Sequence, residues 1–212
     1  RYPLEEEQAT DEDAQALTSR LDQQHYEIID TETALRQWAE KLHCEKTLAF
    51  DLFTAGLDPL TAPLVGISLC NDPGHSLYIP VGHATITEDQ LELNQVQEIL
   101  GPVFADPRTP KVAHNASFDL KILEQHSMPV IGLAFDTMIA AFLLNSDRRI
   151  GLKALTRELL NIVMTEITEL IGTGKNQCNM SDVEIRQAGM YACQDADATL
   201  QLLRILQPQI DE

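Results

Sequence analysis

The sequence predicts an α/β fold on a mixed sheet, in which three antiparallel strands come first, parallel strands follow, and helices flank the whole. Three observations carry this prediction. Three apolar runs of strand length, TLAFDLF, LVGISLC and SLYIPV, are separated by the turn-forming stretches Leu57-Asp58-Pro59 and Asn71-Asp72-Pro73-Gly74, the pattern of an antiparallel meander. Downstream, short strand patterns alternate with apolar residues at helical spacing. At 212 residues and 44% apolar content, the chain is long enough for one domain with a substantial core.

Taken in order, residues 1–24 (RYPLEEEQATDEDAQALTSRLDQQ) are acidic and poor in large apolar side chains, so they read as a linker or weakly docked helix, leaving 25–212 as the domain. A chain opening on Arg1 reads as an excised or processed piece. The strand HYEII leads into a helix over TETALRQWAEKLH, where Leu35, Trp38, Ala39 and Leu42 share a face. After the meander, Leu93, Val96, Leu100 and Val103 predict a helix from about Glu88 to Phe104. Lys111-Val112-Ala113 is a fourth, buried strand running into a helix from about Ala116 to Gln125. Beyond Pro129 a short strand precedes the helix FDTMIAAFLLN, with Asp136 as its N-cap. The next helix carries Leu152, Leu155, Leu159 and Ile162. A loop containing Gly172-Thr173-Gly174-Lys175-Asn176-Gln177 then leads to Ser181-Asp182-Val183-Glu184, a capping box opening a last helix that runs past Leu203.

No stretch approaches the roughly 20 apolar residues of a membrane span, and no basic segment precedes an apolar run as in a secretory signal. Cys44, Cys70, Cys178 and Cys193 are scattered, and the six histidines are dispersed, which argues against a structural zinc site. The expectation is a cytoplasmic monomer with reduced thiols and no membrane partner. The net charge of −18 lacks the basic footprint of a nucleic-acid binder. Either the acidic residues solvate the surface, or divalent cations supply positive charge where a phosphate must sit.

Three aspartates stand out by position. Along TLAFDLF, Leu48, Phe50 and Leu52 share one face and Ala49, Asp51 and Phe53 the other. A carboxylate in the middle of an apolar strand is costly unless it is paired, hydrogen-bonded or metal-bound. Asp119 lies early in a helix that follows a buried strand. Asp195 lies mid-helix, with Tyr191 one turn earlier on its face. For any one of them, a cap or an ion pair with Arg is the commoner explanation.

Together, the strand Asp51, Asn115-x-x-x-Asp119 and Tyr191-x-x-x-Asp195 resemble the three motifs of the DnaQ-like exonuclease superfamily. The stretches FDLFTAGLD, LVGIS, YIPVGH, FDTMIAAFLLNS, GTGKNQ and YACQDADATLQL are similar to the 3′–5′ exonuclease domain of bacterial DNA polymerase I, from about His25 to the end of the chain. The resemblance implies a ribonuclease H-like fold and removal of nucleoside 5′-monophosphates from a single-stranded DNA 3′ end, with a polymerase domain in the parent chain. It implies two divalent cations, Mg or Mn with Zn as an option, held about 4 Å apart. By position, Asp51 would bridge both ions, Asp195 would help hold the first, Asp119 would act on the second, and Tyr191 would orient the attacking water. Leu57 would wedge against the terminal bases. Asn115, His114 and Phe118 would contact the terminal nucleotide, and Arg149 a phosphate, although the neighbouring Arg148 leaves that position open by one. For Leu57 and Phe118, ordinary core packing is an equal reading.

One position departs from the pattern. The family's first motif is Asp-x-Glu, whose Glu is a direct metal ligand; here it is Asp51-Leu52-Phe53. Phe53 shares the face of Asp51 and has no lone pair to give, so binding of a hard cation weakens. Asp58, beyond the turn, is no ready substitute. The expectation is an impaired exonuclease. The alternatives are an inactive module that holds single-stranded DNA, and an exoribonuclease similar to ribonuclease D.

Overall fold

The computed structural model describes residues 25–42, 46–84 and 89–212, so the acidic segment 1–24 lies outside the described residues. Six strands, β1 (His25–Ile28), β2 (Leu48–Thr54), β3 (Leu64–Asp72), β4 (His75–Pro80), β5 (Lys111–Ala113) and β6 (Leu133–Asp136), form one sheet in the order β1-β4-β3-β2-β5-β6. β2, β3 and β4 are the antiparallel meander. β5 pairs parallel to β2, β6 parallel to β5, and β1 parallel to β4 at the opposite edge. This is the expected mixed sheet.

The strict alternation of β2 divides the core. Leu48, Phe50 and Leu52 pack on one face with Leu35 of α1 (Glu32–Lys41), Val96 and Leu100 of α2 (Leu93–Ala105), and Ile122 and Leu123 of α3 (Ala116–Gln125). On the other face, Ala49 packs with Ala196 and Leu200, and Phe53 with Ala188 and Tyr191, all from the long helix α7 (Ile185–Asp211). α4 (Thr137–Leu144) begins at the expected N-cap, where the Asp136 side chain accepts from the N–H groups of Met138 and Ile139.

Gly66 is required in β3, because a Cβ there would lie 2.1 Å from the Tyr78 hydroxyl. Tyr78 crosses this gap to reach Nε2 of His83 at 2.7 Å, while Nδ1 of His83 lies 3.0 Å from the Val183 carbonyl. A carbonyl only accepts, so Nδ1 carries the proton and Nε2 accepts from the tyrosine. Tyr78 is thereby fixed edge-on beneath Phe53.

Four local expectations are corrected. α2 starts at Leu93, after Glu92 and Gln95 form a reciprocal cap, and not near Glu88. The helix carrying Leu152 and Leu155, α5 (Leu152–Leu155), continues only as a π turn, Thr156–Leu160; Asn161 is left-handed, so Ile162 lies outside it. A further helix, α6 (Ile167–Ile171), precedes the glycine-rich loop. Ser181 and Glu184 do not form a capping box. Met180–Asp182 is a 3-10 turn capped by Asn179 and Asp182, and Glu184 is the N-cap of α7 without a side-chain bond.

Candidate active site

Strand alternation turns the Asp51 side chain toward α7, where Asp195 and Tyr191 lie one turn apart on the buried face. Asp119 enters from the first turn of α3 and is 3% exposed. Its position follows from the local chain path: Asn115 takes a left-handed conformation (φ 67°), and the Asp136 carboxylate accepts from the N–H groups of Asn115 and Ala116 at 3.2 and 2.8 Å. One carboxylate thus satisfies orphan donors at the N-termini of both α3 and α4.

The three acids influence one another in a row from α7 through β2 to α3. Burial, then the charge of Asp195, pushes the Asp51 carboxyl up to about 8. Burial, then Asp51 and Asp136, holds Asp119 well above the usual carboxylate range. Burial raises Asp195 to about 6 against the opposing pull of Lys153, and Glu166 adds to the rise. Tyr191 is raised by burial and then by Asp195 and Asp51. Such a set has an unmet demand for positive charge.

The donor set does not fit a pair of divalent ions. Among the described residues, no three His, Cys, Asp or Glu side chains assemble into a group able to hold a metal. At position 53 the phenylalanine ring is 8% exposed and makes edge contacts with Tyr191 at 5.7 Å and Tyr78 at 6.3 Å between centroids. Beside Asp195 the cation is internal. Lys153 Nζ donates to Asp195 Oδ1 and stands 4.1 Å from the centroid of the Tyr191 ring.

A cleft of about 550 Å³ is lined by Phe53, Leu57, Phe118, Ile167 and Met180 among others, while Asp51, Asp119, Asp195 and Tyr191 are not part of its lining. Leu57 is 94% exposed, so ordinary core packing does not account for it. Phe118 is half-buried, packing against the core while lining the cleft. Asn115 is exposed. His114 is tied through Nδ1 to Thr137 Oγ1 at 2.9 Å, and its imidazole is lowered to about 4 by burial, against the charge of Asp136. Arg148 Nε lies 3.1 Å from Glu158 Oε1, an ion pair without hydrogen-bond geometry, which leaves the neighbouring Arg149 as the exposed guanidinium.

Sequence reasoning missed Lys153 and Glu166. A lysine beside Leu152 in an amphipathic helix looks like a solvated position, and Glu166 lies in a stretch read as loop; no local pattern sets either apart.

A family model described as 3′–5′ exonuclease matches residues 26–211. The chain is 41% identical over 186 residues to DNA polymerase I of Chloroflexus aurantiacus, covering 87% of this chain and 19% of that protein. It is 29% identical over 212 residues to DNA polymerase I of Pseudomonas aeruginosa, covering 98% and 23%. The chain therefore spans about a fifth of the length of these relatives. Among solved structures, Escherichia coli RNase D aligns with a TM-score of 0.66 at 18% identity, covering 88% of this chain and 45% of that one. The POL domain of Pol1 from M. smegmatis, in complex with DNA primer-template and dNTP, aligns at 0.65 and 17%, covering 88% and 28%. At these identities the structures show a shared ribonuclease H-like fold.

Proposed function

From the premise that the chain belongs to the 3′–5′ exonuclease family, as the exonuclease domain of a DNA polymerase I, we propose that it acts on the 3′ end of single-stranded DNA with hydrolysis weakened by Phe53. The reading is supported by the electrostatic influence that Asp51 exerts on Asp119 and Asp195 on Asp51, together with the Phe53 ring, which lines the cleft and packs edge-on against Tyr191.

The substrate-holding part is proposed to be intact. Leu57, exposed at the cleft, stacks on a terminal base without reading sequence. Phe118 forms the facing apolar wall. The exposed Asn115 offers its amide to the terminal sugar or phosphate, Arg149 pairs with a backbone phosphate, and His114 stays neutral near the terminal nucleotide. The hydrolytic part is proposed to be impaired. Asp51, Asp119 and Asp195 are the acids toward which any divalent ion would be drawn, and Tyr191, whose ring contacts Phe53 and Lys153, is proposed to orient the attacking water. The polymerase domain in the parent chain is a further proposal, supported by the polymerases that the chain resembles.

The test is an exonuclease assay on single-stranded DNA with magnesium and with manganese, comparing the parent protein with Phe53→Glu. The variant gains at least about tenfold, which needs only about 1.4 kcal/mol of transition-state stabilisation. Equal and robust rates would make position 53 irrelevant, and a preference for RNA oligonucleotides would move the assignment to a ribonuclease D-like activity.

A further inference from the structure

We propose that Lys153 is the resident cation of the acidic site, its ammonium standing beside Asp195 where a divalent ion would otherwise be drawn, so that metal enters only by displacing it. The inference rests on the reading of Asp51, Asp119 and Asp195 as a cation-seeking cluster.

A buried lysine–aspartate pair is by itself commonplace. Three features set this one apart. First, the ammonium serves a cluster and not one partner: besides its bond to Asp195 Oδ1, its charge also favours the ionised form of Asp51 on β2. Second, it is held in place by Tyr191, over whose ring it stands 4.1 Å from the centroid. Third, the same ring is in contact with Phe53, edge-on at 82° with the centroids 5.7 Å apart. Phe53 and Lys153 therefore meet the same tyrosine, and the two departures from a metal centre are physically joined. The aromatic ring removes a ligand and steadies the tyrosine, and the tyrosine steadies the ammonium. The charged groups facing Lys153 are Asp195 from α7 and Asp51 from β2, with Glu166 from the start of α6 also acting on Asp195.

The arrangement also accounts for the buried Asp119 and Asp195 and the half-buried Asp51 persisting without a metal-holding group among the described residues. A tethered ammonium supplies one positive charge at a fixed point and needs no ligand from position 53. A divalent ion must compete with a cation whose local concentration the fold sets, and must strip it from Asp195 before binding.

The experiment measures Mn²⁺ binding by electron paramagnetic resonance, without DNA, for the parent and for Lys153→Met, Lys153→Gln and Lys153→Arg. Gln still reaches toward Asp195 without charge, and it carries the comparison if the Met variant does not fold. The Met and Gln variants bind Mn²⁺ at least about tenfold more tightly than the parent, and their melting temperatures rise on moving from EDTA to Mn²⁺ while that of the parent stays nearly level. The Arg variant, still charged, binds no more tightly than the parent. Uncharged variants that bind Mn²⁺ no better than the parent overturn the proposal. If Phe53→Glu nevertheless gains exonuclease activity, only the lysine inference falls; if it gains none and no variant binds Mn²⁺, the exonuclease reading falls with it.

Discussion

Phe53→Glu exchanges packing for a ligand, and both sides of the exchange follow from the contacts of one ring. Phe53 is 8% exposed, so its removal forfeits about 2–3 kcal/mol of apolar burial. The edge contacts with Tyr78 and Tyr191 add about 1 kcal/mol. The new carboxylate also lands beside Asp51, which burial and Asp195 already push up to about 8, so repulsion adds to the loss. A total of about 3–4 kcal/mol corresponds to a fall in melting temperature of about 10 °C for a domain of this size. If a carboxylate at position 53 supplies a ligand that Phe53 withholds, Mn²⁺ at about a hundred times its dissociation constant returns about 2.7 kcal/mol. Differential scanning calorimetry in EDTA and in Mn²⁺ measures both halves. The variant melts well below the parent in EDTA and regains most of the difference in Mn²⁺, whereas the parent shifts little. A variant as stable as the parent in EDTA would refute the packing argument, and a deficit that saturating Mn²⁺ leaves untouched would refute the ligand argument.

The pH dependence runs opposite to that of an ordinary surface carboxylate. Asp51 at about 8 and Asp195 at about 6 are raised by folding, so the folded chain keeps protons that the unfolded chain has released. Their joint contribution to stability is therefore full below about pH 4 and is lost as pH rises through about 6 and then 8. Urea midpoints in EDTA across that window fall, and Asp51→Asn flattens the slope; a flat parent profile would contradict the burial argument. Leu57→Ala lowers affinity for single-stranded DNA by about tenfold, as expected from losing about 1.5–3 kcal/mol of apolar burial against a base, with the melting temperature unchanged because the side chain is 94% exposed. Fluorescence anisotropy with a labelled oligonucleotide checks it. Asp197, 1% exposed, accepts from Tyr26 Oη at 2.9 Å, the Gly74 N–H at 3.0 Å and Gln201 Nε2 at 2.9 Å, tying β1 and the β3–β4 turn to α7. Asp197→Ala costs about 3 kcal/mol by chemical denaturation, and Asp197→Asn costs less.

What the sequence determined by itself is whatever a short-range period can encode. The alternation of TLAFDLF assigns Asp51 and Phe53 to one face of β2, because successive side chains of a strand point to opposite sides whatever surrounds it. The helix over residues 116–125 and the cap at Asp136 were legible for the same reason, since apolar spacing and a capping carboxylate act within a few residues. Patterns of equal local strength failed where packing overruled them. Ser181 and Glu184 have capping-box spacing, yet Met180 and Val183 are drawn into the cluster around Phe53, and the chain turns in 3-10 form there. α5 stops at Leu160 because the π turn ends in a left-handed Asn161, against an apolar spacing that runs on to Ile162. Only the tertiary structure could bring Lys153 onto Asp195, 42 residues later, and onto the ring that Phe53 contacts. An ion pair formed across such a separation depends on which faces the fold turns toward each other. Periodicity describes each face singly, and it carries no record of the one it will meet.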